Sequence, residues 1–256
     1  MSINSIYFLN AADLASATAV YLDSSLSLIA PDDFYSNEII SRQQLGGVLL
    51  PAEVCDCGDC LDCVSGLPIL IGTQEWTNCN LDVTTYSNGD PIPEVTDAAT
   101  WAALTTGAWC YYDNDSANGP TYGKIYNWYA VNDPRGLAPV GYHVPTNAEW
   151  TTLTTYLGGT LVAGGKMKEA GFCHWGEPNT DATNESGFTA LPGGFRLHTD
   201  GSFNNIGFYG FYWSSTEFNT SFSWARSMPY NQPGCNAEYG SKAYGFSIRL
   251  IKDDVS

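Results

Sequence analysis

The sequence predicts an α+β fold, and three stretches carry that prediction. YGFSIRLIKD (Tyr244–Asp253) sets Phe246, Ile248 and Leu250 against Ser247, Arg249 and Ile251, the period of two of a half-buried strand. PTNAEWTTLTTYLGG (Pro145–Gly159) opens on Thr146 and Glu149 in a T-x-x-E capping box. It then repeats Trp150, Leu153 and Leu157 on one helical face and stops at Gly158–Gly159. YWSSTE (Tyr212–Glu217) puts two aromatics before small hydroxyl residues, as at a strand end with inward-facing rings.

Taken in order, residues 1–50 read as a separate, mainly β unit. A short helix is expected over Ala11–Ala17, with strands at Thr18–Leu22 and Leu26–Ile29 joined by the Ser24–Ser25 turn. A unit of about 40–50 residues has a marginal core of its own, so it is expected to attach and oligomerise the chain. Its alternative is an extra layer packed on the main domain.

Residues 51–68 form a cysteine-rich hinge. Cys55, Cys57, Cys60 and Cys63 follow C-x-C-x2-C-x2-C, half of the eight cysteines within one short run. Thiolates at this spacing can clasp Zn²⁺ or an iron–sulfur cluster, although Asp56, Asp59 and Asp62 add unfavourable charge. Disulfides, within or between chains, and free thiols are the other readings, and spacing does not decide among them.

The main domain is expected over residues 69–256. PILIGTQEW opens it with a short strand, and Asp97 is placed to cap a helix over Asp97–Leu104. Asp113, Asn114, Asp115 and Asn118 gather oxygen ligands, but the twelfth position of a calcium loop is Lys124 rather than Glu. A polar turn is therefore expected there. YGKIYNWYAV is expected to bury Tyr126, Trp128 and Tyr129, and Pro192-Gly193-Gly194 to form a tight turn. Phe218–Tyr239 has almost no aliphatic residues and no clean periodicity, so it reads as a displayed loop. Such Tyr-, Trp-, Ser- and Asn-rich surfaces suit recognition. Asn219, Ser221, Phe222, Trp224, Tyr230, Asn231 and Gln232 are the candidate ligand-binding residues.

Composition narrows the function. The 256 residues are 44% hydrophobic but only 14% charged, against about 25% in ordinary soluble chains, so the surface is built largely from uncharged polar residues. A net charge of −17 with ten basic residues excludes nucleic acid and anionic membranes as direct partners. No run approaches the ~18 apolar residues of a membrane span, and Met1–Ser41 lacks the basic and apolar regions of a signal peptide. The start at Met1 favours a protein released by lysis.

The order IGTQEW, WCYYDND, YGKIYNWYAV, PVGYHVPTNAEW, GFTALPGGFR, YWSSTE, YGFSIRLIKD resembles the Fibrobacter succinogenes major paralogous domain, common in Bacteroidetes and their phages. The resemblance implies a C-type-lectin-like fold, distantly related to that of formylglycine-generating enzymes. The oxidase chemistry of those enzymes depends on a cysteine pair. Here Leu250 stands where the family usually has Cys after the final Arg, and LAPVGYH lacks the cysteine of another family element. His143 matches a family histidine and is expected to be buried and hydrogen-bonded rather than catalytic. An enzyme is not expected. Residues 1–50 also resemble the opening of some Bacteroidetes phage structural proteins.

The function expected from these readings is a non-enzymatic virion surface protein. Its homo-oligomeric residues 1–68 would bind other virion proteins, and its lectin-like domain would bind a host-surface glycan or protein. The alternatives are a capsid or tail decoration protein with a purely structural role and a bacterial cell-surface adhesin.

Overall fold

The computed structural model describes residues 68–253 in full, preceded by the backbone of six short strands. Contacts divide the chain into two compact units, Met1–Cys60 and Leu61–Ser256. In the first, β1 (Phe8–Leu9) pairs antiparallel with β2 (Val20–Tyr21). The central β4 (Ile40–Leu45) pairs with β3 (Phe34–Ser36), β5 (Val48–Leu49) and β6 (Glu53–Val54). The expected Ala11–Ala17 helix, the Leu26–Ile29 strand and Cys55, Cys57, Cys60 and Cys63 lie outside the described residues.

The second unit is mixed α+β with sheet predominant. Its small sheet orders β11 (Tyr142–His143), β18 (Ile251–Lys252), β8 (Gln74–Trp76) and β7 (Ile69–Ile71). Its large sheet runs through β16 (Asn236–Ser241), β15 (Phe222–Pro229), β14 (Tyr209–Glu217), β12 (Gly193–Arg196), β17 (Gly245–Phe246), β10 (Ile125–Asn127) and β9 (Trp109–Cys110). A further strand, β13 (Phe203–Ile206), pairs with β12.

The large sheet is covered on both faces, and β14 shows why. Successive side chains of a strand point to opposite faces, yet Tyr212 and Trp213 are both fully buried. Tyr212 enters a core with Trp76, Phe188, the helix residues Trp150 and Leu153 and the helix C-cap Leu157; Trp213 enters a second core with Trp128, Phe246 and Ile248. The helix is α4 (Asn147–Tyr156), and both halves of the expected capping box are formed. The Thr146 hydroxyl accepts from the Glu149 N–H, and Glu149 accepts from the Thr146 N–H at 2.7 Å. Such a cap stabilises a helix by about 1 kcal/mol. The expected Asp97 cap is also present, accepting at 2.8 Å from the Thr100 N–H at the head of α1 (Ala98–Ala102).

Three expectations are corrected. Gly193 and Gly194 form no turn; they open β12, and Gly194 has φ +62° with no room for a Cβ, which would stand 2.4 Å from the Asn204 carbonyl of β13. Glycine serves there as a close backbone approach. The closing run is not half-buried: Ser247, Ile248, Arg249, Leu250 and Ile251 are all buried, because the chain crosses from the large sheet to the small one against the segments around Thr77–Leu81 and Phe188–Thr189, to which it is hydrogen-bonded. Phe218–Tyr239 is not a loop but chiefly the two antiparallel strands β15 and β16, with β16 at the sheet edge.

Elsewhere the local readings agree with the fold, with one exception. Tyr126 and Trp128 are buried as expected, whereas Tyr129, also expected to be buried, is only half-buried. The segment after Trp109 makes two short turns of 3-10 helix, Tyr112–Asn114 and Ser116–Asn118.

Candidate functional site

The seven candidate residues divide between the two ends of β15. Asn219, Ser221, Phe222 and Trp224 stand at the β14–β15 end; Tyr230, Asn231 and Gln232 stand at the β15–β16 connection. Eight strand residues at about 3.3 Å each separate the ends by roughly 26 Å, so the seven do not form one surface.

At the connection, the scaffold already uses the main chain. The Tyr230 N–H donates to the Phe208 carbonyl at 2.9 Å, and the Tyr230 carbonyl accepts from Thr180 at 2.8 Å. The Tyr230 ring meets Phe208 edge-on at 5.0 Å. The buried Lys168 ammonium donates to the carbonyls of Thr180, Pro229 and Gln232 at 3.0, 3.2 and 3.1 Å. Its burial pulls the Lys168 pKa down to about 8, with Asp181 opposing.

The β14–β15 end is built differently. A bulge between Trp213 and Glu217 breaks the ladder and re-aims the strand before the turn. The Asn219 carboxamide oxygen then accepts from the N–H groups of Ser221 and Phe222 at 2.9 and 3.0 Å, fixing the turn. Beneath it the buried Lys242 ammonium donates to Glu217 at 2.8 Å and to the Thr220 carbonyl at 3.0 Å, and lies 4.7 Å over the Trp128 ring.

On this support sits an exposed aromatic cluster. Trp224 and Tyr239 are cross-strand partners. Phe218 stacks on Tyr239 with ring centres 4.4 Å apart and planes 5° from parallel. Trp224 meets Phe218 edge-on at 5.2 Å, and Phe222 meets Tyr239 at 5.8 Å and 81°. Phe218, Phe222 and Tyr239 are 43%, 37% and 56% exposed, far more than the buried rings of either core. Sequence reasoning named Phe222 and Trp224 but missed Phe218 and Tyr239, which close the cluster. The available signal was the alternation of large and small residues along β15: Phe222, Trp224, Arg226 and Met228 interleave with Ser223, Ala225 and Ser227.

The charge around the cluster follows from where the cations go. Lys124, Lys168, Arg196, Arg226, Lys242 and Arg249 are buried. Arg196 donates to the carbonyls of Gly201, Val95 and Thr96 and lies 4.5 Å over Trp101. Arg249 donates to Asn80 and to the carbonyls of Thr77, Phe188 and Thr189. Arg226 bonds Asn147 and Thr151 on α4, and burial lowers its pKa. The exposed cations Arg135, Lys166 and Lys252 pair with Asp133, Glu185 and Glu75 at 2.8, 2.9 and 2.7 Å. Every Lys and Arg within residues 68–253 is therefore buried, paired with a carboxylate, or both.

A separate cleft of about 530 Å³ lies by the small sheet, lined in part by Gln74, Glu75, Glu149, Thr152 and Asp253. His143, on its wall, is half-exposed rather than buried, and both ring nitrogens are engaged: Nδ1 with Asp253 at 2.7 Å and Nε2 with Glu149 at 2.9 Å. Burial lowers the His143 pKa, but the two carboxylate bonds outweigh it and the net shift is upward. Burial likewise raises Glu149, and the Thr146 and His143 bonds outweigh that, leaving it lowered. The ring thus ties the closing strand to the head of α4.

Buried Cys110 and Cys235 have thiols pushed up to about 12, far from nucleophilic. Among the described residues no group of three or more His, Cys, Asp or Glu is arranged to hold a metal ion, and no helix is long and apolar enough to cross a membrane.

No curated protein and no solved structure matches the chain. The model of the Fibrobacter succinogenes major domain matches residues 69–252, well over half of the sequence, and the chain belongs to that family.

Proposed function

We propose that residues 69–252 form a C-type-lectin-like, non-enzymatic binding module that holds a host-surface glycan on Phe218, Phe222, Trp224 and Tyr239. The observation that carries this reading is the cluster itself: exposed aromatic rings on a turn fixed from below by Asn219 and Lys242. Rigid aromatic side chains give large contact area at low entropic cost, and anchors of this kind dominate binding energies. The cleft beside His143 supports a structural role instead, since its histidine and two of its carboxylates already bond one another.

Binding of the full chain to immobilised host-surface glycans tests the reading. Trp224→Ala and Tyr239→Ala are expected to weaken binding by about 10–30-fold, the range of an interface anchor, with thermal unfolding little changed. Unaltered binding in both variants overturns it.

The resemblance of residues 1–50 to phage structural segments supports a virion setting for the module, with those residues as the attachment. Co-sedimentation of the native protein with phage particles tests that setting. Recovery with cell envelopes instead favours a surface adhesin. Loss of host binding with virion assembly intact favours the binding module, whereas cluster substitutions that disturb assembly favour a decoration protein.

A further inference from the structure

Resting on the glycan-binding reading, we infer that the cluster selects uncharged sugar rings and rejects anionic glycans such as sialylated, sulfated or uronate-bearing chains. Two observations lead there. The first is the disposition of positive charge. An anionic sugar gains affinity from an ammonium or guanidinium that can meet its carboxylate or sulfate. Lys242, the cation beneath the cluster, is buried and already engaged by Glu217 and the Thr220 carbonyl. The three exposed cations with carboxylate partners lie elsewhere: Arg135 precedes β11, Lys166 is in α5 (Ala163–Met167), and Lys252 is in β18. Exposed Glu217 offsets Lys242, its ion-pair partner, and exposed Glu238 stands beside Tyr239 on the opposite face of β16, so the tip has no free positive charge and one uncompensated carboxylate nearby. Within a Debye length of about 8 Å that carboxylate's field acts on any charge bound there, and like-charge juxtaposition disfavours the wrong partner.

The second observation is size. A stable protein interface takes about 20–30 residues a side, whereas the cluster is four rings at a hairpin tip, rimmed by Asn219, Thr220 and Ser221. That matches one or two sugar rings, whose apolar faces stack on aromatics and whose hydroxyls meet amides and hydroxyls. A second copy of the chain is a poor occupant, because each copy carries a net charge of −17 and like-charged copies repel.

The test is a panel of immobilised glycans in matched sets, each with an uncharged, an anionic and an amine-bearing form of the same core, probed with the full chain at physiological salt. Uncharged forms are expected to bind at least about tenfold more tightly than their anionic counterparts, with little change as salt is raised, and Tyr239→Ala is expected to weaken that binding by about 10–30-fold. Tighter binding of sialylated or sulfated forms overturns the selectivity while leaving the binding reading intact. Binding that is confined to amine-bearing forms and falls with salt also overturns it, in favour of a cationic ligand. Binding to no glycan overturns the binding reading as well. Concentration-dependent dimerisation lost in Tyr239→Ala overturns both and assigns the cluster to self-association.

Thr220→Lys supplies the cation that the rim lacks. It is expected to raise binding of anionic forms about tenfold relative to uncharged ones. An unchanged ratio in a folded variant overturns charge as the basis of the selection.

Discussion

The two ends of β15 are made from similar residues and are put to different uses. At the β15–β16 connection Tyr230 and Gln232 are tied into the scaffold through their main chain, with Lys168 gathering three carbonyls behind them. At the β14–β15 tip the corresponding fastening is done by Asn219 and Lys242, which hold the turn and leave four aromatic rings to pack chiefly on one another. An exposed Tyr or Asn is therefore a weak indicator of binding. The stronger one is an aromatic group whose support comes from below and whose outer surface meets solvent.

Substitutions can break either end separately. The largest effect is expected at the connection. Lys168→Met removes a buried donor from three carbonyls, and unpartnered buried polar groups cost about 1–3 kcal/mol each. A loss of about 3 kcal/mol or more is expected in urea unfolding, with glycan affinity unchanged in the folded fraction. Equal loss of affinity and stability would show that the two ends are not independent. Next comes the tip: Trp224→Ala or Tyr239→Ala is expected to lose affinity at nearly constant stability, read by binding and thermal melts on the same samples. Asn219→Ala should fall between these two patterns. It leaves the Ser221 and Phe222 N–H groups without their acceptor, costs about 1 kcal/mol locally, and weakens binding only through the turn.

The smallest effect touches neither end. The His143 pKa is raised in the folded state, so its bonds to Asp253 and Glu149 contribute stability that is fully present below the unfolded value of about 6.5 and is lost as pH rises through the folded value. The half-exposed ring is screened by water, so about 0.5 kcal/mol is expected. Glu149 works in the opposite direction: its lowered pKa contributes stability above the ordinary glutamate range and loses it as pH falls through the folded value. Thermal melts across neutral pH should show the histidine contribution disappear in His143→Gln, with glycan binding unaltered.

How much of this was legible in the sequence depends on the kind of signal. The capping box at Thr146 and Glu149 and the Asp97 cap are local chemistry and could be read directly. So could Tyr212 and Trp213 as inward-facing rings, although not that they face two different cores. The closing run was read as half-buried because Ser247 and Arg249 alternate with apolar residues. Periodicity cannot show that the segments around Thr77–Leu81 and Phe188–Thr189 cover the polar side, nor that Arg249 spends its donors on their carbonyls and on Asn80. The Phe218–Tyr239 segment was misread because hydropathy was counted and size was not. Its strand period lies in volume, with the small residues Ser223, Ala225 and Ser227 buried on one face. The pairing of Trp224 with Tyr239, and with it the completed cluster, needed the register of two strands, which no local pattern contains.

The inward placement of cations also has a consequence for the solvents in which the protein can persist. An ordinary surface held by ion pairs loosens in brine. Here the guanidinium and ammonium groups that fasten loops to sheets are shielded from ions, while added electrolyte quiets the mutual repulsion of the acidic exterior. Such a fold tightens, rather than softens, as its surroundings become more saline.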